Sequence, residues 1–298
     1  MPRAGLLARQ TSEAVRLPRH GRSTAAGHGL HGATDPAAAR VARYGQFMRT
    51  VGVDLSAEAR GTGIAVIDWD TRGGRLNEVR VGADDAVVLA ALDDADRAAV
   101  DCPLGWPEPF VDFLIAHRAG RASAPTGQSG LEWRRELSRR ATDLHVAETV
   151  SGCVPLAVSA DRIAAVAMRA AGLLAALADA GRPVDRSGVG LLVEVYPAAA
   201  LRIWGLASRS YKGTSNQAAL GLLVEGLRTA LPDLDWSGHD TVCRQSDDAL
   251  DAVVCALIAR AVHLGLTAGP PDHLSIRAAT EGWIHLPSSR DSLAKLAK

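Results

Sequence analysis

Arg49-Thr-Val-Gly-Val-Asp-Leu-Ser-Ala-Glu-Ala-Arg-Gly-Thr-Gly-Ile-Ala-Val-Ile-Asp-Trp69 reads as two strands joined by a short Gly/Ala turn. Val51, Val53 and Leu55 alternate with small or polar residues, and Ile64–Ile67 then runs apolar up to Trp69. Asp54 interrupts the first strand. Aspartate is depleted in strands, and a carboxylate among valines loses hydration that a partner must replace. Taken alone, Asp54 is equally well explained as a strand-ending turn residue that caps through its side chain.

The same anomaly recurs downstream. Arg97-Ala-Ala-Val-Asp-Cys-Pro-Leu-Gly-Trp-Pro107 is a short apolar strand that ends on Asp101 and breaks into a Pro/Gly loop. Ser246–Val262 is a helix apolar nearly all round, hence buried, yet it carries Asp251 one turn in. Asp247 and Asp248 suit a first turn, where free N–H groups and the macrodipole favour acids; Asp251 lies beyond it, on the same side as Asp248. Glu194 sits in a further strand, Gly190–Pro197.

Between these landmarks the pattern predicts a third strand over Arg75–Ala83 and a helix over Asp84–Ala95. A long helix follows from an N-cap at Ser159 to Ala180, then a short one from Pro197 to Trp204 and another over Asn216–Ala230. Glu281–Pro287 reads as a closing strand or turn. Hairpin strands followed by alternating strands and helices give a mixed α/β sheet in one domain, residues 48–290. Residues 1–47, rich in Arg, Ala, Gly and His without sustained period, read as a disordered basic extension, or as an artefact with translation starting at Met48.

Composition bounds the function. The 298 residues carry 33 basic and 33 acidic side chains, so net charge decides nothing about a nucleic-acid partner. Four scattered cysteines form no Cys-x-x-Cys pair, and reduced thiols in a cytoplasmic protein are expected; zinc held by Cys243 and His239 is the weaker alternative. No apolar run reaches the ~20 residues of a membrane helix, and no secretory signal is recognisable. His117–Arg140 is strongly basic, with Arg134, Arg135 and Arg140 among its six arginines. A solvated helix face is the ordinary explanation, and a flap contacting phosphates the alternative.

Isolated buried carboxylates cost several kcal/mol each and either take up protons or find cations. An arginine network is the ordinary solution, but the segments 51–59, 98–107 and 245–259 contain no Lys or Arg. A hard divalent cation on oxygen ligands fits better, Mg²⁺ or Mn²⁺.

The succession Gly52-Val-Asp54-Leu-Ser, Gly61-Thr-Gly-Ile-Ala, Val100-Asp-Cys-Pro-Leu-Gly105 and Asp247-Asp-Ala-Leu-Asp-Ala-Val253 resembles the ribonuclease H-like superfamily. More closely it is similar to the DUF429 family, regarded as predicted nucleases of that fold. Glu194-Val-Tyr-Pro197, Tyr211-Lys-Gly213 and Glu281-Gly-Trp-Ile284 resemble further stretches of that family, and the likeness spans roughly residues 50–287. The Asp248-x-x-Asp251 pair also resembles the resolvase branch, the Holliday-junction endonucleases.

The resemblance implies a five-stranded ribonuclease H-like sheet flanked by helices. It implies that Asp54, Asp101, Asp248 and Asp251 are catalytic acids, with Glu194 an extra ligand or a group positioning one. The expected chemistry is hydrolysis of a phosphodiester in RNA or DNA, with two cations ~3.5–4 Å apart clamping the attacking water and leaving oxygen. Lys212 would touch a phosphate or orient the water, or stand as an ordinary exposed lysine; Arg134, Arg135 and Arg140 would contact the nucleic-acid backbone. Two alternatives come with it. Gly-Val-Asp-Leu-Ser with Gly-Thr-Gly is reminiscent of the phosphate loop of actin-like kinases, and the fold could serve as a catalytically idle binding module.

Overall fold

The computed structural model describes residues 47–123 and 125–297; all but the last residue of the predicted extension 1–47 lies outside the described residues. Among the described residues eight strands form one mixed sheet: β1 (Met48–Asp54), β2 (Gly63–Asp70), β3 (Gly73–Val81), β4 (Arg97–Val100), β5 (Leu192–Val195), β6 (Leu234–Asp235), β7 (Thr267–Ala268) and β8 (Ile284–Pro287). Their order is β6-β3-β2-β1-β4-β5-β8-β7. The β1–β2 and β2–β3 pairs are antiparallel, whereas β1–β4, β4–β5 and β5–β8 are parallel. The sheet has eight strands where five were expected, and the first five in chain order lie side by side within it. The extra ones are short, and the two-residue β6 and β7 leave no periodicity to read.

Period-two alternation sorts β1 between two layers. Val51 and Val53, with Ile64 and Val66 of β2, pack under the helices Asp85–Asp93 and Ile163–Asp179. Gly52 faces the other way, toward the helix Asp247–His263, whose residues Ala249–Ala259 are all buried. A methyl group on Gly52 would lie 2.0 Å from the Ala252 carbonyl oxygen, and one on Gly63 2.3 Å from that of Asp248. Glycine at these positions lets the helix backbone seat directly on the sheet. Ser246 caps that helix, its Oγ accepting from the N–H of Ala249 at 3.2 Å.

The expected helix from Ser159 begins later, at Ile163. Asp161 accepts the N–H of Ala157 on its carboxylate at 2.7 Å, and its own N–H bonds the Ala157 carbonyl, closing a separate turn first. Among the described residues no helix is long and apolar enough to cross a membrane. All four cysteines are free and buried.

Candidate metal centre

Three of the anomalous acids converge. Asp54 is the last residue of β1, and Asp101 follows the last residue of β4. The N–H of Asp101 donates to the Val53 carbonyl at 2.9 Å, fixing the two side by side at the carboxyl ends of adjacent parallel strands. Asp54 shares the face of Gly52, and so points at the helix on which Asp251 is carried. One carboxylate oxygen from each of Asp54, Asp101 and Asp251 falls within a group spanning no more than 4.8 Å.

Asp251 is wholly buried, while Asp54 and Asp101 are partly reached by solvent. Neither Asp54 nor Asp101 receives a side-chain hydrogen bond or ion pair from any described residue. Desolvation pushes the carboxyl of Asp54 well above the ordinary range, and the charges of Asp251 and Asp101 push it further. Desolvation raises Asp101 to about 7, against the pull of Lys212. Desolvation likewise raises Asp251, opposed by Lys212 and Tyr211. Three like charges in one hollow, two of them without a protein partner, form an all-oxygen donor set suited to a hard divalent cation. Asp248 lies outside the tight group. It is half-buried and close enough to raise Asp54, and its own carboxyl is raised by desolvation and by Asp247.

Lys212 and Tyr211 close the hollow. The Tyr211 hydroxyl donates to Asp251 Oδ1 at 2.8 Å, and the Lys212 ammonium lies 2.5 Å from Oδ2. Tyr211 is buried, and burial beside Asp251 keeps its phenol protonated and therefore a donor. Two residues of positive φ, Ser210 (58°) and Gly213 (87°), bracket the pair, of which Tyr211 is buried while the Lys212 side chain is half-exposed. Burial opposes the charge on Lys212, but Asp251, Asp101 and Asp54 together hold it protonated.

Glu194 does not join the three acids. It pairs in register with Val100, so pleating sends it to the face opposite Asp101. There Arg140 takes it in a two-pronged ion pair, Nη1 to Oε2 at 2.7 Å and Nη2 to Oε1 at 2.6 Å. Arg140, expected to contact a nucleic-acid backbone, is 1% exposed and taken up by this pair, and Glu194, expected as an extra ligand or a group positioning one, lies outside the three-acid group. Asp143 completes the pair's shell, accepting from Arg140 Nη2 at 2.8 Å. Burial works against the Arg140 charge, but Glu194 and Asp143 outweigh it, so the guanidinium stays ionised.

Glu194 Oε2 also accepts the N–H of Leu104 at 3.0 Å, and so holds the loop that follows Asp101. Buried Glu281 ties the same region, accepting from the N–H groups of Ala141 (2.7 Å) and Glu108 (3.0 Å). Gly282, at φ 91°, leaves no room for a methyl group, which would lie 2.7 Å from Glu194 Oε2. The Asp-Cys-Pro-Leu-Gly, Glu-Val-Tyr-Pro and Glu-Gly-Trp segments are thus joined in one network behind the acids.

Asp54 and Asp101, with Lys212, Tyr211, Glu194 and Arg140, line a cleft of about 610 Å³, which Asp251 does not reach. Its walls carry Tyr196, from the Glu-Val-Tyr-Pro stretch, and Arg162 and Arg209, neither of which stood out in the sequence. Arg162 is exposed and has no ion pair among the described residues; Arg209 donates to the Gly152 carbonyl at 2.8 Å. Arg134 and Arg135 are exposed on the helix Gly130–Ser138 and do not line the cleft. Only the fold tells these two sets of arginines apart.

No curated protein and no solved structure matches the chain. One family model does, over residues 52–275, a span that takes in Asp54, Asp101, Glu194, Lys212 and Asp251. The chain belongs to the DUF429 family, described as proteins of unknown function.

Proposed function

We propose that this protein is a metal-dependent phosphodiester hydrolase acting on nucleic acid, with Asp54, Asp101 and Asp251 as its cation-binding acids. The observation that carries the reading is the convergence of these carboxylates from β1, β4 and the buried helix within 4.8 Å, two of them unpaired. The inner strand order 3-2-1-4-5, with β2 antiparallel to its neighbours, supports a ribonuclease H-like assignment. A cleft at the carboxyl ends of parallel strands is also where open α/β sheets place their ligands.

Mg²⁺ or Mn²⁺ bound there would polarise a phosphoryl oxygen and acidify a coordinated water. Asp54 and Asp101 offer lone pairs fixed by strand pairing, so no reorganisation is needed to receive a cation. Tyr211 and Lys212 orient Asp251. Arg162 and Arg209 are placed to meet the phosphates of a strand entering the cleft.

The phosphotransferase alternative has less support. Gly52 and Gly63 face the backbone of the buried helix, and so do not line an open phosphate loop. The test is a panel of labelled RNA, DNA, hybrid and four-way substrates with Mn²⁺, run beside Asp54→Asn. Cation-dependent cleavage absent from the variant supports the reading; equal cleavage by both proteins contradicts it.

A further inference from the structure

We infer that Lys212 takes the place of a second metal ion, so that this centre holds one divalent cation where the sequence resemblance implied two. The inference rests on the metal-centre reading above and specifies its stoichiometry.

Charge is the first argument. When ionised, Asp54, Asp101 and Asp251 carry three negative charges within 4.8 Å, and the Lys212 ammonium returns one positive charge 2.5 Å from Asp251 Oδ2. The remainder matches one divalent ion. A second divalent ion in the same hollow would leave an excess of positive charge, with the ammonium as its near neighbour.

The second argument is that the segment carrying Lys212 is anchored, although the lysine side chain itself is 53% exposed. Its backbone carbonyl accepts from Asn216 Nδ2 at 2.6 Å, and the preceding Tyr211 is buried with its hydroxyl on Asp251 Oδ1. The positive-φ residues Ser210 and Gly213 hold this two-residue segment on either side. A lysine that merely neutralised a surface acid would need none of this.

The third argument is the division of labour among the acids. Asp251 Oδ1 accepts from Tyr211 and Oδ2 meets the Lys212 charge without a hydrogen bond, whereas the Asp54 and Asp101 carboxylates have neither a hydrogen bond nor an ion pair among the described residues. The open lone pairs therefore gather at the ends of β1 and β4, where Asp54 and Asp101 would hold one ion. Asp248 stands one turn away with no ion pair among the described residues. It is the acid a second ion would recruit once the ammonium is gone.

The experiment is Mn²⁺ titration of the full-length protein followed by electron paramagnetic resonance, which counts bound ions and distinguishes an isolated ion from an exchange-coupled pair. Wild type is expected to bind one ion with an isolated-ion spectrum, and Lys212→Arg to do the same. Lys212→Met, which keeps the stem and removes the charge, is expected to bind a second, coupled ion or to hold the first at least ten-fold more tightly. Circular dichroism checks that both variants fold. Two coupled ions in wild type would overturn the inference and leave the metal-centre reading standing. Unchanged count and affinity in Lys212→Met would also overturn it. No bound ion in wild type would overturn both.

Discussion

Arg140 and Glu194, 54 residues apart in sequence, form a two-pronged buried ion pair at 2.7 and 2.6 Å, directly behind the loop that presents Asp101. Because Glu194 also accepts from Leu104, the pair couples the helix Ala141–Thr149 to the strand end carrying a candidate ligand. This is a structural role. Arginine abundance in the sequence had suggested a surface one.

Removing one partner of such a pair leaves the other charge buried and uncompensated. Arg140→Met is expected to cost about 3–5 kcal/mol in denaturant unfolding, since both Glu194 and Asp143 lose their counter-charge. Glu194→Gln is expected to cost less, because the neutral amide still accepts from Leu104 and Arg140 keeps Asp143. A loss under about 1 kcal/mol for Arg140→Met would mean that the pair is not buried as described.

The three acids invert the usual relation between a mutation and stability. In metal-free protein, Asp54→Asn and Asp101→Asn each remove a charge that desolvation and neighbouring carboxylates oppose, so thermal unfolding should move upward. A gain of about 1 kcal/mol or more is expected. The same variants should lose stabilisation by added Mn²⁺, because only a ligand bound to the folded state raises its melting temperature. A fall in metal-free stability for both variants would contradict the repulsion.

The pH dependence follows with a definite sign. The folded carboxyl of Asp101 is raised to about 7, above its ordinary 3.8, so between these values the folded chain keeps a proton that the unfolded chain has released. Metal-free stability therefore falls as pH rises from about 4 to about 7 on account of this group, and levels off above. Asp54, raised in the same direction, adds to the slope. Chemical denaturation across that range should show a shallower slope for Asp101→Asn than for wild type.

Gly52 is the packing counterpart of the acids. Its Cβ position lies 2.0 Å from the Ala252 carbonyl oxygen and 2.3 Å from the Ala256 nitrogen, both backbone atoms of the helix that carries Asp251. Gly52→Ala must push helix and sheet apart, at a cost of about 3 kcal/mol or more. It should also weaken Mn²⁺ binding by separating Asp251 from Asp54. Unaltered unfolding and Mn²⁺ affinity would contradict the direct seating of the helix on β1.

What could be read from sequence depended on how local the signal was. Asp54 and Asp101 stood out because each lies in an apolar strand segment without a base nearby, and Asp251 because it lies past the helix turn where acids are ordinary. The β1–β2 hairpin was legible from alternation alone. Glu194 carried the same signature but a different fate, since only the strand register decides which face of the pleat a residue takes. Arg140 looked like its exposed neighbours Arg134 and Arg135 because its partners are distant in the chain. Tyr211, Arg162 and Arg209 gave no periodic or compositional anomaly; loops bring them to the cleft.

The most direct test is crystallographic: crystals soaked in Mn²⁺, with anomalous differences measured near the manganese edge. A peak about 2.0–2.3 Å from carboxylate oxygens of Asp54 and Asp101, on the hollow that Asp251 closes, is the predicted result. Well-ordered carboxylates at this site with no anomalous peak, or each paired to an arginine, would contradict the account.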